Sequence, residues 1–597
     1  MGQAYSCITC FPSSSLSKDP RHLQRQHNIP DLEMNDSGSP TFLPLSPCAT
    51  PTTTTTATST PNSVARIPAN LLNHTLDQPT QWLQLSPEIS YNQNYSPLEM
   101  ALSRQHRGSG FDVPGAVHSV TTPRLDKEMQ TDAKLVIIMV GLPARGKSYI
   151  VKKLRRYLNW LQYETKVFNV GNLRRECESE HEQSAKFFDP DNAELKGIRD
   201  KLALDVLENL IKWLKDGGRV AIHDATNSTI ERRALLLKRL RQEPQIRVLL
   251  LESLCTDERI LERNFRLKLL GPDYRNRPAA EALADFKSRV ANYEKAYQPI
   301  GDWEEERDIQ YCKLINVGKK VIACNISGYL SGQCVFYLMN FNLAERQIFL
   351  TRHGQSTDNV TGHIGGDADL SPSGKKYAEA LSKFIKEQRV QFALDLVHEQ
   401  HEREEIWKSK GLEPLEKTDG ARTPEELMKA KAEAVCNSQF IVWTSMLKRA
   451  MSTAAYFDPD EYDIKHIRFL NEINASICEG MTYEEISNVY PDEYNMRKQN
   501  KLFYRYPGIG GESYMDVIHR TQSMIIELER MSQSCLIITH RVVMRILLGY
   551  LTDMSQKEMP HMDVPMHTVF EVRPKPYGNE ILKWRYIEHL DKFVQDH

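Results

Sequence analysis

The sequence has no apolar run of about 18 residues, the length that a membrane-spanning helix needs. It also has no excess of charge of one sign: 76 Lys and Arg stand against 78 Asp and Glu, a formal net charge of -2. This balance disfavours a general nucleic-acid binder, which normally presents a strongly basic face. Any anionic ligand must therefore be held by local clusters of Arg, Lys and His.

Cysteines are few and show no close pairing pattern. The 11 Cys are spread over 597 residues, which predicts reduced thiols and a cytoplasmic protein. The start, MGQAYSCITCF, lacks the basic and apolar regions of a secretory signal. It does fit the myristoylation pattern for Gly2, and Cys7 and Cys10 could then take palmitate. Two interpretations stay open: an acylated terminus that contacts membranes, or an unstructured terminus that begins Met-Gly by chance.

Residues 1–130 contain little that could form a core. They are rich in Ser, Thr, Pro and Asn, as in TPTTTTTATSTP, and sustain no helical or strand period. Such a segment has too little apolar surface to offset the entropy lost on ordering. The composition therefore predicts a disordered regulatory arm.

Two later segments alternate strand-like and helix-like patterns. In 131–343, the runs LVIIMV, TKVFNVG, RVAIHDATN and RVLLLESLC predict strands, with amphipathic helices between them. In 344–590, the runs RQIFLTRHG, QFIVWTS and CLIITH predict strands of a second unit. Strands that alternate with helices indicate α/β architecture, and in the first unit a parallel sheet covered on both faces. The predicted fold class is two α/β domains behind the disordered arm.

The second unit contains a long charged stretch at about 390–438, including HEQHEREEIWKSKGLEPLEKTDG. It lies between a predicted helix and the strand FIVWTS. Its charge predicts a solvated insertion, in part helical, without a catalytic role.

The octapeptide GLPARGKS stands between a predicted strand and a predicted helix. It matches G-x-x-x-x-G-K-[ST] with Gly141, Gly146, Lys147 and Ser148. The glycines let backbone N–H groups turn toward phosphate oxygens, and the helix N-terminus adds positive potential. Lys147 would contact the β- and γ-phosphates, and Ser148 would ligate Mg²⁺. The context favours a nucleotide phosphate loop over a structural glycine loop with an exposed lysine.

Asp224 ends the predicted strand in VAIHDATN, where a carboxylate could hold Mg²⁺ or its water. A lone Asp at a strand end is more often a turn residue, but a phosphate loop in the same unit favours the metal role. Guanidinium forks suit sugar phosphates, and four arginines recur in this unit: Arg174, Arg199, Arg232 and Arg289.

The tetrapeptide TRHG follows a predicted strand and resembles the histidine phosphatase superfamily. The resemblance implies that His353 attacks phosphorus to form a phosphohistidine and that Arg352 neutralises phosphate oxygens. The motif alone is weak, because a histidine at a strand end is by default a satisfied polar residue. Three further residues support it: Arg449 in WTSMLKRA, Glu472 in LNEINASICEG and His540 in LIITHRVVMR. Glu472 matches the superfamily's general acid and His540 its second histidine, so the set fits metal-free phosphoryl transfer.

Over roughly residues 132–585 the chain resembles the bifunctional 6-phosphofructo-2-kinase/fructose-2,6-bisphosphatase family. The resemblance is carried by GLPARGKSYI, RYLNW, KVFNVGN, DATNSTIERR, LESLC, GPDY and YLMN, followed by RHG. It implies a P-loop NTPase-like kinase that makes fructose 2,6-bisphosphate from fructose 6-phosphate with ATP and Mg²⁺. It further implies a phosphoglycerate-mutase-like phosphatase that removes the 2-phosphate, and a homodimer.

The motif and the resemblance together assign site residues. ATP contacts fall on the phosphate loop and one lysine: Gly141, Leu142, Pro143, Ala144, Arg145, Gly146, Lys147, Ser148, Tyr149 and Lys268. Fructose 6-phosphate contacts fall on Arg174, Arg199, Thr226, Arg232, Arg289 and Tyr293. Kinase catalysis falls on Lys147 and Asp224, and Cys255 also matches a family kinase position. Fructose 2,6-bisphosphate contacts fall on Arg352, Asn359, Gly365, Arg449, Tyr483, Arg497, Lys501, Tyr514 and Arg545.

The sequence departs from the family pattern in three places. The stretch NFRLKLLGPDY is one residue short, so Lys268 lies one place early and Leu269 takes the position of the family's lysine. One residue on a helix turns a side chain by about 100°. Gln355 and Arg541 stand where Glu and Gln are usual, and each raises the local charge by about one unit. Glu479 in CEG competes with Glu472 as acid, and we interpret it as structural.

Two other functions stay open at this stage. The short NFRLKLLGPDY stretch allows a one-way phosphatase whose kinase domain only binds nucleotide. The acylation-like start allows a membrane-tethered, metabolite-sensing binding protein, which His353, Glu472 and His540 argue against.

Overall fold

A computed structural model describes residues 134–177, 185–271, 273–274, 277–340, 342–412, 430, 433–434, 438–575 and 578–596. The predicted disordered arm, with Gly2, Cys7 and Cys10, lies outside these residues, as does most of the insertion after residue 412. Within them, the chain forms two α/β sheets that follow one another in sequence.

The first sheet and its helices run from residue 134 to residue 339. The strands are β1 Lys134–Val140, β2 Thr165–Asn169, β3 Val220–Asp224, β4 Ile246–Leu254, β5 Tyr311–Ile315 and β6 Lys320–Cys324. The helices are α1 Lys147–Trp160, α2 Val170–Cys177, α3 Ala193–Lys215, α4 Ile230–Leu240, α5 Glu258–Leu269, α6 Ala279–Lys295, α7 Asp302–Glu305 and α8 Tyr329–Met339.

The strand order of the first sheet is β2-β3-β1-β4-β5-β6. The first five strands are parallel, whereas β6 pairs antiparallel with β5. The central strands are buried on both faces because helices cover each side. The four strands predicted from the sequence are parallel, as expected. Strand β6 was not predicted, and it pairs antiparallel because the short turn at residues 316–319 reverses the chain, whereas a parallel pairing would need a crossover.

The second sheet begins at Ile348. Its strands are β7 Ile348–Arg352, β8 Phe440–Thr444, β9 Tyr462–His466, β10 Cys535–Thr539, β11 Thr568–Lys575, β12 Gly578–Ile587 and β13 Lys592–Asp596. Its helices are α9 Thr357–Thr361, α10 Pro372–Ser409, α11 Lys448–Ala454, α12 Tyr483–Val489, α13 Pro491–Gln499, α14 Tyr514–Arg530 and α15 Arg541–Leu551. Short 3₁₀ turns connect several of these elements.

The second sheet has the order β13-β12-β11-β7-β10-β8-β9, with a parallel half and an antiparallel half. In the parallel half, Arg352 at the end of β7 is the register partner of Thr539 at the end of β10. His353 and His540 follow these two residues, so the register alone places both histidines at one edge.

The charged insertion is not simply solvated. Its first part continues α10, which runs for 38 residues from Pro372 to Ser409. Phe392, Ala393, Val397 and Trp407 are buried along this extension. Residues 398–406 and 408–409 are exposed or half-buried, as expected for a solvated and partly helical segment, whereas these four apolar residues, widely spaced among the charges, are not.

The two halves pack against each other through α1, α14 and α15. Trp160 Nε1 on α1 donates to the Ile546 carbonyl oxygen on α15 at 3.2 Å. Tyr157 on α1 donates to Gln333 and accepts from Gln522 on α14. The helix that starts at the phosphate loop thus ends against the second half. Within the described ranges, no helix is long and apolar enough to cross a membrane.

Candidate active sites

The phosphate loop lies between β1 and α1, where only glycine fits at two positions. Gly141 has φ +131°, and a Cβ there would lie 2.5 Å from the Ser253 carbonyl oxygen. Gly146 has φ +91° and precedes the first residue of α1. Residues with a side chain rarely adopt these angles. The tight turn brings the loop close to β4 and opens the helix N-terminus toward a cavity.

Lys147 is the buried cation of this loop. Its Nζ donates to the carbonyl oxygens of Gly141 at 2.8 Å and Leu142 at 2.7 Å. Burial lowers the pKa of Lys147 to about 7, with Lys268 and Arg145 adding to the effect and Asp224 opposing it. An anion in the cavity would therefore be favoured, because it offsets the clustered positive charge.

Asp224 ends β3 beside Asn169, which ends β2. The two residues are register partners, and Asn169 Nδ2 donates to Asp224 Oδ2 at 2.6 Å. Burial raises the pKa of Asp224, while Lys147 and then Asn169 oppose the rise. Ser148 and Asp224 both line the cavity. A hydroxyl and one carboxylate, together with the phosphate oxygens of a nucleotide, form the kind of oxygen donor set that Mg²⁺ takes in kinase and ATPase sites.

Lys268 faces this cavity from the last turn of α5, although it lies one place early in sequence. Leu269, at the family's lysine position, is buried in an apolar cluster that shares Ala144, Tyr274 and Phe286 with the cavity wall. Asn264, one turn before Lys268, donates from Nδ2 to the Ala144 carbonyl oxygen at 2.9 Å. The shortened stretch therefore still delivers a lysine to the phosphate loop.

The same cavity, of about 650 Å³, is lined by every residue predicted to contact fructose 6-phosphate: Arg174, Arg199, Thr226, Arg232, Arg289 and Tyr293. Asp273 organises two of the guanidinium groups: its Oδ2 accepts from Arg174 at 2.9 Å and from Arg289 at 3.0 Å. Burial alone would raise the pKa of Asp273, but Arg174 and Arg289 outweigh it and hold the pKa at about 2. Asp200 pairs with Arg232. The arginines are thus pre-positioned by carboxylates that sequence reasoning did not single out.

Other predicted loop residues differ in placement. Pro143, Ala144 and Tyr149 line the cavity. Arg145 instead pairs with Glu294 at 3.0 Å, so its guanidinium is engaged at the rim of the loop. Cys255 is buried, with Sγ 3.9 Å from the Asp257 carbonyl oxygen, and it is not among the residues that line the cavity.

His353 stands directly after β7 and is buried. Its backbone N–H donates to the Thr539 carbonyl oxygen at 2.9 Å, and its Nδ1 lies 2.7 Å from the Gly354 carbonyl oxygen. A carbonyl can only accept, so Nδ1 carries the proton and the lone pair is on Nε2. Burial and then Arg449 lower the pKa of His353 well below its usual value. The ring is therefore neutral and nucleophilic at Nε2.

One arginine contacts this nitrogen, and a second lines the same cavity. Arg449 Nε donates to His353 Nε2 at 3.1 Å, and its Nη1 donates to the Gly366 carbonyl oxygen at 2.8 Å. Arg352 Nη1 donates to the Val564 carbonyl oxygen at 3.2 Å, while its buried Nε has no hydrogen-bond partner among the described residues. Both guanidinium groups line the second cavity and can take phosphate oxygens.

Glu472 lies at the N-terminus of α15. Its Oε2 accepts from the Arg541 N–H at 2.9 Å, and its Oε1 accepts from the N–H groups of Val542 at 3.1 Å and Ile473 at 3.0 Å. The helix N-terminus thus fixes the carboxyl group on the cavity wall. Glu479, the competing acid, is exposed and packs beside Gly365, whose added Cβ would lie 2.7 Å from Glu479 Cγ.

His540 is fully buried next to His353, with ring centroids 5.0 Å apart. Its Nε2 lies 2.7 Å from Ser445 Oγ, and its Nδ1 has no hydrogen-bond partner among the described residues. Burial and then His353 lower the pKa of His540 well below its usual value. A neutral His540 can orient a group at this edge, whereas Arg352 and Arg449 supply the charge.

The second cavity, of about 420 Å³, is lined by every residue predicted to contact fructose 2,6-bisphosphate: Arg352, Asn359, Gly365, Arg449, Tyr483, Arg497, Lys501, Tyr514 and Arg545. Tyrosine hydroxyls hold two arginines in place: Arg545 Nη1 donates to Tyr514 at 3.1 Å, and Arg497 Nη2 donates to Tyr483 at 3.0 Å. Burial, Arg545 and Arg497 lower the pKa of Lys501 to about 7. The wall concentrates cations for a ligand with more than one phosphate.

The two departures near this cavity differ in position. Arg541 lines the cavity. The Gln355 side chain accepts from Ser371 Oγ at 2.9 Å at the start of α10. The extra positive charge expected from both residues therefore reaches the cavity wall through Arg541.

Sequence reasoning missed several supporting side chains. Ser445 contacts His540, Thr453 accepts from the Gly354 N–H at 2.9 Å, and Asp273 pairs with the kinase arginines. Asp273 lies within GPDY and Ser445 within WTSMLKRA, but neither motif indicates the partner of that side chain, and Thr453 lies four residues after Arg449.

Comparisons with known proteins match each half of the chain to a family model. Residues 124–345 match the family model described as 6-phosphofructo-2-kinase. Residues 348–397 and 414–587 match the histidine phosphatase superfamily, branch 1.

Three relatives match across both domains. The chain is 45% identical over 511 residues to a probable 6-phosphofructo-2-kinase of Schizosaccharomyces pombe, covering 83% of this chain and 76% of the relative. It is 48% identical to 6-phosphofructo-2-kinase 1 of Saccharomyces cerevisiae, covering 82% of this chain and 57% of the relative. It is 39% identical to human 6-phosphofructo-2-kinase/fructose-2,6-bisphosphatase 3, covering 81% of this chain and 82% of the relative.

These matches span the phosphate loop, the two histidines and the strands that carry them. The chain belongs to the 6-phosphofructo-2-kinase/fructose-2,6-bisphosphatase family, with a kinase domain followed by a histidine phosphatase domain.

Proposed function

We propose that this chain both makes and degrades fructose 2,6-bisphosphate, with one cavity for each reaction. The observation that carries the proposal is the pair of cavities in one chain, one with a phosphate loop and one with a neutral histidine whose Nε2 accepts from Arg449, with Arg352 on the same cavity wall. The names of the two fungal relatives mention only the kinase, and the human name mentions both activities. The presence of His353, Glu472 and His540 favours a phosphatase activity beside the kinase activity in this chain.

In the kinase reaction, the 2-hydroxyl oxygen of fructose 6-phosphate attacks the γ-phosphorus of ATP, the bond to the β-phosphate oxygen breaks so that ADP leaves, and the hydroxyl proton is released to solvent. Lys147 and the loop N–H groups stabilise the charge that develops on the β- and γ-phosphates. Arg174 and Arg289, held by Asp273, would orient the sugar phosphate. Ser148 and Asp224 would hold Mg²⁺, which when bound neutralises charge on the phosphate oxygens.

In the phosphatase reaction, His353 Nε2 attacks the phosphorus of the 2-phosphate, and the bond from phosphorus to the sugar oxygen breaks. Glu472 gives a proton to that oxygen, so fructose 6-phosphate leaves and phosphate stays on His353. Water then attacks the phosphohistidine, Glu472 takes a proton from the water, and inorganic phosphate leaves. Arg449 must exchange its contact with Nε2 for the phosphate oxygens, which frees the lone pair as the substrate enters.

The remaining assignments belong to the same proposal. Residues 131–343 form the kinase domain and 344–590 the phosphatase domain, the chain acts in the cytoplasm as a homodimer, and Gly2 acylation brings it to membranes. The acylation residues lie outside the described part of the chain. Gly2→Ala tests this last assignment: it should remove the protein from the membrane fraction, and an unchanged cytosolic distribution of both forms would exclude the anchor.

The test of the catalytic assignment uses one variant for each cavity. His353→Ala should abolish hydrolysis of the bisphosphate and acid-labile ³²P labelling of the chain, while synthesis from ATP continues. Lys147→Met should abolish synthesis from ATP, while hydrolysis of the bisphosphate continues. Hydrolysis that survives His353→Ala would exclude this nucleophile. A parent chain that hydrolyses the bisphosphate but makes none at saturating MgATP would establish the one-way alternative.

A further inference from the structure

Helix α10 is longer than the phosphatase domain requires. The histidine phosphatase family model matches up to residue 397 and resumes at residue 414, so the end of α10 lies outside it. Ion pairs hold the middle of the helix on strand β11: Asp395 with Arg573 at 2.9 Å and Glu399 with Lys575 at 2.8 Å. Beyond these pairs the helix continues for ten residues to Ser409.

The end of this extension is buried in the kinase domain. Trp407 is 8% exposed and belongs to an apolar cluster whose other buried members are all kinase residues: Ala144, Leu269, Tyr274, Ala282, Phe286 and Val290. Leu412 packs on the same cluster. Its N–H donates to the Trp407 carbonyl oxygen at 3.0 Å, which turns the chain back over the indole. A residue of the phosphatase half thus completes a core in the kinase half.

Helix α5 has two faces, and this cluster covers one of them. The residues of α5 that line the nucleotide cavity are Ile260, Arg263, Asn264, Leu267 and Lys268. Their spacing of i, i+3, i+4, i+7 and i+8 is a single helical face. Phe265 and Leu269, each one residue later than Asn264 and Lys268, belong to the cluster with Trp407. One residue corresponds to about 100° around the helix, so burying Leu269 turns Lys268 toward the phosphate loop.

We propose that Trp407 is a positioning residue for nucleotide binding: it closes the apolar cluster that holds Leu269, and thereby sets the rotation at which Asn264 and Lys268 meet the phosphate loop. The inference rests on the proposed kinase function, and it assigns the charged insertion a role in the other domain's reaction. The same rotation explains how NFRLKLLGPDY, although one residue short, still presents Lys268 toward the phosphate loop.

The loss of Trp407 would remove a large apolar side chain from the cluster in which Phe265 and Leu269 of α5 are packed. The Asn264 hydrogen bond to the Ala144 carbonyl oxygen and the position of Lys268 on the cavity wall both depend on the rotation of this helix. The phosphatase cavity has no lining residue from α5 or from the end of α10. The effect should therefore appear in nucleotide affinity and leave hydrolysis of the bisphosphate unchanged.

The test uses the full chain with Trp407→Ala, Trp407→Phe and, as a matched control, Ile406→Ala. Ile406 is the preceding residue on α10 and is 49% exposed. The readouts are the Kd of a fluorescent ATP analogue, the KM for ATP in synthesis, and kcat/KM for hydrolysis. Trp407→Ala should weaken nucleotide binding by about tenfold or more, the scale of one charge-assisted contact. Trp407→Phe should recover most of the affinity, and Ile406→Ala should match the parent.

A double-mutant cycle separates positioning from general stability. If Trp407 acts through Lys268, then Trp407→Ala should cause little further loss of affinity in a Lys268→Met background. Equal losses in both backgrounds, or an unchanged nucleotide Kd in Trp407→Ala, would overturn the proposal. If Trp407→Ala does not fold, Trp407→Leu, which keeps an apolar side chain but loses the indole, carries the same cycle. A parent that binds the analogue but makes no bisphosphate would refute the kinase function and leave this test intact.

Discussion

Glu529, near the end of α14, is the carboxylate on which two cations of the kinase half converge. Its Oε2 accepts from Lys153 Nζ at 2.7 Å, and its Oε1 accepts from Arg156 Nη2 at 2.7 Å and from the Tyr550 hydroxyl at 2.6 Å. Burial alone would raise the pKa of Glu529, but Lys153 and Arg156 outweigh it and hold the pKa at about 2. Glu529→Gln would leave two buried cations without their carboxylate.

The pKa of Glu529 gives the size of the effect. A fall from 4.5 to about 2 corresponds to about 3 kcal/mol of folding free energy, at about 1.36 kcal/mol per pKa unit. Removing one member of a buried pair typically costs ~3–5 kcal/mol. Burial also lowers the pKa of Lys153 to about 8 although Glu529 opposes it, so in the variant Lys153 can release its proton at modest cost. We therefore expect a loss of about 3 kcal/mol at neutral pH.

The pH dependence of this loss has a definite sign. The folded-state pKa of Glu529 is depressed, so its stabilising contribution is fully present above the ordinary value of 4.5 and disappears as pH falls toward 2. The difference between parent and Glu529→Gln should therefore shrink in that window.

Equilibrium unfolding in urea measures the effect. Glu527→Gln is the matched control, because Glu527 lies on the same helix, pairs with Arg530 at the surface, and should cost less than about 1 kcal/mol. A parent and a Glu529→Gln variant of equal stability at neutral pH would refute the account of this interface. So would a difference that persists undiminished at the acidic end of the window.

Two further predictions concern the cavities. Gly141→Ala should abolish synthesis and spare hydrolysis, because a Cβ at φ +131° would lie 2.5 Å from the Ser253 carbonyl oxygen; normal ATP binding in a nucleotide titration would contradict this. Burial, Arg545 and Arg497 lower the pKa of Lys501 to about 7, so its charge is lost as pH rises through that value. The KM for the bisphosphate should therefore rise between about pH 6 and pH 8 and should flatten in Lys501→Arg; a parent KM that is constant over this range would exclude the assignment.

Local patterns predict the parts of the fold that local chemistry determines. The buried strand before Gly141 and the glycines of the phosphate loop follow from apolar runs and from the backbone angles of a tight turn. The pairing of His353 with His540 follows once both are assigned to the ends of parallel strands, since the register Arg352–Thr539 brings them together.

Long-range contacts are the part that the sequence does not reveal. Trp407 stands among charges, and only the packing of a distant domain shows that its face of α10 is buried. The role of Asp273 depends on two arginines from separate helices. The placement of Lys268 depends on what packs against the neighbouring face of its helix, which carries Leu269. The spacing of residues within NFRLKLLGPDY gives no information on that packing.

The most direct test of the central claim follows one phosphoryl group through both cavities of the purified chain. With [γ-³²P]ATP and fructose 6-phosphate, the account predicts fructose 2,6-bisphosphate labelled on the 2-phosphate. After a chase with unlabelled ATP, the label should pass through an acid-labile adduct on His353 to inorganic phosphate. Two results would contradict the claim that one chain both makes and degrades the bisphosphate. In the first, labelled bisphosphate forms but keeps its label. In the second, the chain releases phosphate from added bisphosphate but makes no bisphosphate from ATP and fructose 6-phosphate.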